Sequence, residues 1–184
     1  MASIIDAAWS LRTGMRRLWA DHAIWTRQYI IAAVAGTPDA QAAAERLLRN
    51  QEDIGNAIVP YYGEEAGAAL TMYLKDHILI AVDLVAAAKE GNTVRFNIFD
   101  RKWTRNARAI AGFLSKANPY WSKKDVFDLL ELHLQLTKGE AVARLEGNWE
   151  ADVAAFDEIF AEVLTLADAL SEGIVHQFAE KFAA

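Results

Sequence analysis

The sequence predicts an all-α protein, an antiparallel bundle of about six helices built from helical hairpins around a four-helix core. Apolar residues recur at helical spacing along almost the whole chain, and alanine, the strongest helix former, is abundant. No stretch alternates apolar and polar residues with β-branched side chains, so we expect no sheet. Proline and glycine are scarce and sit mostly where helices should stop.

Five breaks divide the chain into six helical segments. At the first break Gly36 ends a helix, Thr37 caps the next one, and Pro38 takes its first helical position. The remaining breaks contain Pro60, Gly91, Pro119 and Gly147. The predicted segments are 3–35, 38–59, 63–90, 93–117, 122–146 and 148–182. Gly14 lies inside the first segment, where we expect it to bend or interrupt the helix.

Three histidines recur in similar surroundings. His22, His77 and His133 follow one another at intervals of 55 and 56 residues, each within an apolar helical stretch. A chain of 184 residues suits one domain. We therefore interpret residues 1–184 as a single helical-bundle domain, with repeated hairpins near 11–62 and 63–121 and a third, 122–184, that diverges after His133.

Composition narrows the class of protein. The net charge is −6 and the pI is near 5.2, so we expect no nucleic-acid partner. Without cysteine there is no disulfide, thiolate metal site or cysteine nucleophile. Charged residues interrupt the longest apolar stretch, 68–88, and the first residues lack the basic and apolar regions of a signal peptide. We therefore expect a cytoplasmic protein with no membrane partner.

The three histidines are the strongest candidates for chemistry. Their neighbours three and four residues away are mostly apolar, so the imidazoles are predicted to face the core. Neutral imidazole binds divalent transition metals such as Zn, Fe, Ni or Cu, and helical bundles place such ligands on facing helices. Alternatively, each histidine is a core residue bonded to its own local partner. The predicted metal site comprises His22, His77, His133, Glu140, Asp53 and Asp157.

Aromatic residues give a second set of candidates. Trp25, Tyr62 and Trp103 are the ones that we expect to line a cofactor pocket, although aromatic stripes more often form plain core packing. Asn50 and Asn106 are interpreted as helix caps or loop residues.

Several segments together resemble a group of uncharacterised bacterial helical proteins, with a likeness that covers most of the chain. The resemblance implies a small cytosolic helical protein and nothing about its chemistry. The segments that carry it are Asp21-His22-x-x-Trp25-Thr26-Arg27, Pro60-Tyr61-Tyr62-Gly63, Asp76-His77-x-x-x-Ala81, Asn118-Pro119-Tyr120-Trp121 and His133-Leu-x-Leu-Thr137.

The sequence leaves three functions open. The first is a metal-binding bundle with a buried histidine and carboxylate site of unknown role. The alternative is a non-enzymatic bundle that binds a small ligand or a protein, including a second copy of itself as a homodimer. A hydrolase that uses a histidine–carboxylate pair ranks last, because no motif supports it, and whether the protein is an enzyme stays open.

Overall fold

A computed structural model describes residues 4–183 and shows them as helices joined by short turns, with no strand among them. This confirms the all-α prediction. Within the described residues no helix is long and apolar enough to cross a membrane. The helices are α1 Ile4–Ala35, α2 Ala40–Tyr62, α3 Glu64–Lys89, α4 Thr93–Ala117, α5 Lys123–Glu146, α6 Trp149–Gln177 and the short α7 Ala179–Phe182.

Six long helices form a closed ring. Each packs against the next along the chain, and α6 returns to pack against α1. The helices α1, α3 and α5 also contact one another, so they form an inner group surrounded by α2, α4 and α6. Because short turns make neighbours antiparallel, the three inner helices run in the same direction. A ring of three hairpins therefore replaces the predicted four-helix core.

Burial repeats through the three hairpins. Residues that lie 55 or 56 positions apart, as the histidines do, are buried to a similar degree. Each layer of the core therefore contains one side chain from each hairpin. The third hairpin keeps this pattern beyond His133, where we expected it to diverge. Matching inner positions are Trp19, Leu74 and Leu130; Ala23, Ile78 and Leu134; and Ile30, Val85 and Ala141. Matching outer positions are Ile54, Ile110 and Leu166; and Ile58, Leu114 and Leu170.

Three helix boundaries differ from the prediction by more than one residue. The last long helix ends at Gln177 rather than at 182, and α7 follows it as a separate short helix. The second helix begins at Ala40 rather than at Pro38, and it runs through Pro60 to Tyr62. Pro60 is tolerated because it lies in the last turn at an exposed position, where the carbonyl that loses its partner is near solvent. The first helix continues through Gly14 without interruption, since no Pro or insertion accompanies that glycine.

The backbones of α2 and α3 touch at a pair of glycines. A Cβ atom on Gly55 would lie 2.7 Å from the carbonyl oxygen of Gly67, and one on Gly67 would lie 2.8 Å from that of Gly55. Neither position accepts a side chain unless the two helices move apart. This contact sets the distance between the first hairpin and the second.

Candidate functional site: a chamber lined by three histidines

The three histidines meet in the middle of the ring. Each lies at a matching position on an inner helix and is 2–3% exposed. The ring centres of His22 and His133 are 5.4 Å apart, and those of His77 and His133 are 6.2 Å apart. All three line one cavity of about 20 Å³, which we call the chamber. Such a volume holds one water molecule or one ion.

A polar side chain of the following outer helix contacts Nδ1 of each histidine. Asn106 Oδ1 lies 2.8 Å from Nδ1 of His77, and Glu162 Oε2 lies 3.0 Å from Nδ1 of His133. Gln51 Nε2 lies 3.3 Å from Nδ1 of His22. The partner stands 29 residues after its histidine in every case. None of these three residues was predicted to belong to the site, although their constant spacing from the histidines is visible in the sequence.

Hydrogen bonds fix the tautomers of His77 and His133. The amide nitrogen of Asn106 donates to the carbonyl of Tyr73 at 3.0 Å, so its oxygen is the atom that accepts from Nδ1–H of His77. Oε2 of Glu162 faces Nδ1 of His133, and the carboxylate form of Glu162 accepts the hydrogen of that nitrogen. The neutral form of each imidazole then has a lone pair on Nε2, the atom that binds metal ions.

His22 has the opposite tautomer. The Gln51 amide nitrogen donates to the carbonyl of Leu47 at 2.8 Å and to Oδ1 of Asn50 at 3.0 Å, which fixes its orientation. An amide nitrogen cannot accept a hydrogen bond, so the facing Nδ1 of His22 carries no hydrogen. The ring hydrogen of His22 is therefore on Nε2.

One more donor belongs to the chamber. Trp103 lines the cavity beside His77, with ring centres 5.0 Å apart, and it is 2% exposed. Its Nε1 is buried without a hydrogen-bond partner among the described residues. The hydroxyl groups of Thr26 and Thr137 are not free in the same way, because they donate to the carbonyls of His22 and His133 at 2.7 and 2.8 Å. Trp103 is thus an unsatisfied donor at the chamber wall.

Burial keeps the imidazoles of His22 and His77 neutral. Loss of hydration, followed by the neighbouring histidines, lowers the pKa of His22 well below its usual value. The same causes, burial first and His133 second, lower the pKa of His77 to about 3. His22 and His77 are therefore uncharged at neutral pH, and the neutral imidazole is the form that coordinates a metal.

The metal-free protein is expected to lose stability as the pH falls from 6.5 to 5. The unfolded chain takes up protons on His22 and His77 near pH 6.5, whereas the folded chain does not, so each contributes a loss of up to about 1.4 kcal/mol per pH unit. Burial raises the pKa of Glu140 to about 7, so the folded chain takes up a proton there at a higher pH than the unfolded chain does. This uptake stabilises the folded chain as the pH falls and offsets the loss of stability from one histidine. The net slope is about 1.4 kcal/mol per pH unit.

Urea denaturation at several pH values measures this slope. His77→Gln should flatten it, whereas His176→Gln, which changes an exposed histidine outside the chamber, should leave it unchanged. A free energy of unfolding that does not vary between pH 6.5 and 5 would contradict a chamber of neutral histidines.

The predicted carboxylates do not line the chamber. Glu140 is buried, but Arg27 binds it and also binds Asp152 at 2.9 Å, so its oxygens belong to an ion-pair network. Asp53 and Asp157 are exposed on outer helices. A carboxylate in solvent cannot complete a buried site, so neither contributes to the chamber in this structure. Glu162 is the carboxylate that reaches a histidine.

Of the three aromatic candidates, Trp103 alone lines the chamber. Trp25 is half-buried and packs under the guanidinium of Arg46, 5.4 Å from its ring centre. Tyr62 lies at the end of α2, where its hydroxyl accepts from Asn118 at 2.8 Å and donates to Gln177 at 2.9 Å. Both residues pack locally rather than around a common pocket.

The described rotamers do not form a complete metal site. Within residues 4–183 no group of three or more histidine, aspartate or glutamate side chains is placed to hold a metal ion. This agrees with the tautomers, since two imidazoles offer a lone pair and His22 offers a hydrogen. Comparisons of the chain with protein-family models, curated proteins and solved structures find no match.

Proposed function

We propose that the chamber binds one divalent transition-metal ion through Nε2 of His77 and His133. The observation that carries the proposal is the pair of buried imidazoles whose Nδ1–H groups are held by Asn106 and Glu162. Histidine ligands of metals almost always donate their other ring hydrogen to a carbonyl or carboxylate, which fixes the tautomer and orientation. Both histidines line the same small cavity.

The spacing of the two rings is compatible with a shared ion. Imidazoles that bind one metal at about 2.0–2.1 Å from each nitrogen have ring centres no more than roughly 6.5 Å apart. The centres of His77 and His133 are 6.2 Å apart, close to that maximum, so the rings would have to move closer together to hold a tetrahedral ion. Imidazole ligands suit Zn, Cu, Ni and Fe, and the hydrogen bond to Glu162 orients the ring of His133. Two protein ligands leave coordination positions for water or another small ligand.

Metal binding would join the second hairpin to the third. His77 is on α3 and His133 is on α5, so an ion between them adds a link across the inner helices. Because the unfolded chain does not hold the two imidazoles together, the ion stabilises the folded state by an amount that rises with the logarithm of its concentration above the dissociation constant. The predicted cytoplasmic location, the lack of a nucleic-acid partner and the homodimer stay predictions.

Cobalt(II) titration of tag-free, chelator-treated protein tests the proposal. We expect one equivalent to bind, with visible d–d bands that report nitrogen ligands, and a melting temperature that rises with metal concentration. His77→Gln and His133→Gln should each lose the bands and the thermal shift. His176→Gln is the matched control, because this histidine is exposed and stacks on Tyr120.

Two results would contradict metal binding in the chamber. One is protein that takes up no cobalt, zinc or copper at concentrations well above that of the protein. The other is uptake that survives both chamber variants and is lost with His176→Gln, which would place the metal at the surface.

A further inference from the structure

A surface groove runs between α3 and α4, on the outside of the ring. Its volume is about 390 Å³, and the half-buried side chains of Tyr73, Ile80 and Phe99 give it an apolar lining. Leu79 also lines the groove, and it is 51% exposed. Met72, on the same face of α3, is 55% exposed. Apolar side chains grouped in this way at the surface mark a contact site.

The two sides of the groove carry charges of opposite sign. Asp76 and Asp83 lie on the α3 side, and Lys102 and Arg105 lie on the α4 side. All four side chains are exposed, and none of them forms an ion pair with another described residue. The groove is therefore acidic along one helix and basic along the other, and neither set of charges is compensated within the chain.

The opposite charges lie at similar heights along the groove. Asn106 contacts His77, so the residues that precede them, Arg105 and Asp76, are level with each other. Because α3 and α4 are antiparallel neighbours, the other acidic residue and the other basic residue both lie further toward the turn that joins the two helices, by two turns and by one turn. The acidic and basic sides therefore match in position as well as in sign.

We propose that this groove binds a second copy of the chain, with α3 of each copy against α4 of the other. A twofold axis that runs along the groove, in the plane of contact, places Asp76 of each copy opposite Arg105 of the other. A twofold interface must be complementary to itself, and two sides of opposite charge meet that condition. A nucleic acid or an anionic membrane would face repulsion from the acidic side and from the net charge of −6.

The face is large enough for a specific dimer. α3 has 26 residues and α4 has 25, so each is about 38 Å long. Two adjacent helices with axes roughly 10 Å apart form a face about 20 Å wide. The face therefore offers about 750 Å² per copy, which is the area that each partner contributes to a standard specific interface, about 800 Å².

Sedimentation equilibrium of chelator-treated protein tests the inference without reference to metal binding. Wild type should be a dimer that dissociates on dilution, and more readily at high salt, which screens exposed ion pairs. Asp76→Lys and Arg105→Glu should each weaken association at least about tenfold, because each variant places like charges opposite one another at two contacts. Asp157→Lys is the matched control, since it makes the same charge change at an exposed position of α6 and should leave association unaltered.

A mixture of the two charge-reversed variants distinguishes this arrangement from any other dimer. Asp76→Lys in one copy and Arg105→Glu in the other restore opposite charges at both contacts, so two variants that are monomeric alone should form a heterodimer when mixed. Wild type that stays monomeric at concentrations on the order of 1 mM overturns the inference and leaves this face to a different protein. A wild-type dimer that neither variant weakens also overturns it, as do two folded variants that fail to associate in the mixture.

Discussion

Replacing Arg27 with methionine is expected to lower the free energy of unfolding by roughly 3–5 kcal/mol at pH 8. Arg27 binds Glu140 and Asp152, whose carboxyl groups are each 1% exposed, and its own side chain is 16% exposed. Removal of the guanidinium leaves buried negative charge without compensation. Arg144 lies 3.0 Å from Asp152 and still compensates part of its charge. Most of the lost stability therefore comes from the uncompensated charge of Glu140. Urea denaturation measures the change.

The pH dependence of this loss identifies its cause. Burial already raises the pKa of Glu140 to about 7, against the opposing effect of Arg27, and loss of Arg27 raises it further. Protonation then removes the uncompensated charge, so the difference between wild type and Arg27→Met should be smaller at pH 5 than at pH 8. Arg95→Met, which breaks an exposed pair with Glu90, should cost less than about 1 kcal/mol. Equal losses for both variants would contradict a buried network.

Gly55→Ala is expected to destabilise the protein by about 3 kcal/mol. The added methyl group would lie 1.9 Å from Oγ1 of Thr71 and 2.7 Å from the carbonyl oxygen of Gly67. Rotation of Thr71 relieves the first clash, but the second involves backbone, so α2 and α3 must separate. Thermal denaturation and calorimetry provide the measurement.

The matched controls are glycines in open positions. A Cβ on Gly14 or on Gly139 meets no atom within 4 Å, and both residues lie inside helices with ordinary φ angles. Alanine there should raise stability by up to about 1 kcal/mol, because it restricts the unfolded chain. A Gly55→Ala variant as stable as Gly14→Ala would show that the two helices do not touch through their backbones.

The spacing of apolar residues was sufficient to predict the helices and to predict that the three imidazoles face the core. Apolar spacing, capping residues and the turns at Gly91 and Gly147 give most helix ends within one residue of those found, but the ends of α2 and α6 were missed by three and five residues. The ring could not be predicted in the same way, because the return of α6 to α1 is a contact between the two ends of the chain. Pro60 misled the prediction, since a proline stops a helix only where its missing N–H matters.

The site was predicted only in part, because its supporting residues are polar side chains on other helices. Asn50 and Asn106 were interpreted as caps, yet both lie inside helices and donate to carbonyls of the preceding inner helix, those of Leu18 and Tyr73. Glu140 has the helical phase of His133, but a residue more than one hundred positions away, Arg27, occupies its oxygens. The position of a residue around its own helix shows in which direction its side chain points. It does not show which residue of another helix that side chain contacts.

Closure of the ring determines when the chamber can exist during synthesis. Packing of α6 on α1 joins the last long helix made to the first, and Glu162, the partner of His133, is on that last helix. A nascent chain that has released only two hairpins exposes His22 and His77 to water, where their pKa values are ordinary. Desolvated imidazoles therefore arise only after the ribosome has delivered α6. Contacts that span the chain in this way slow folding relative to a bundle of local hairpins.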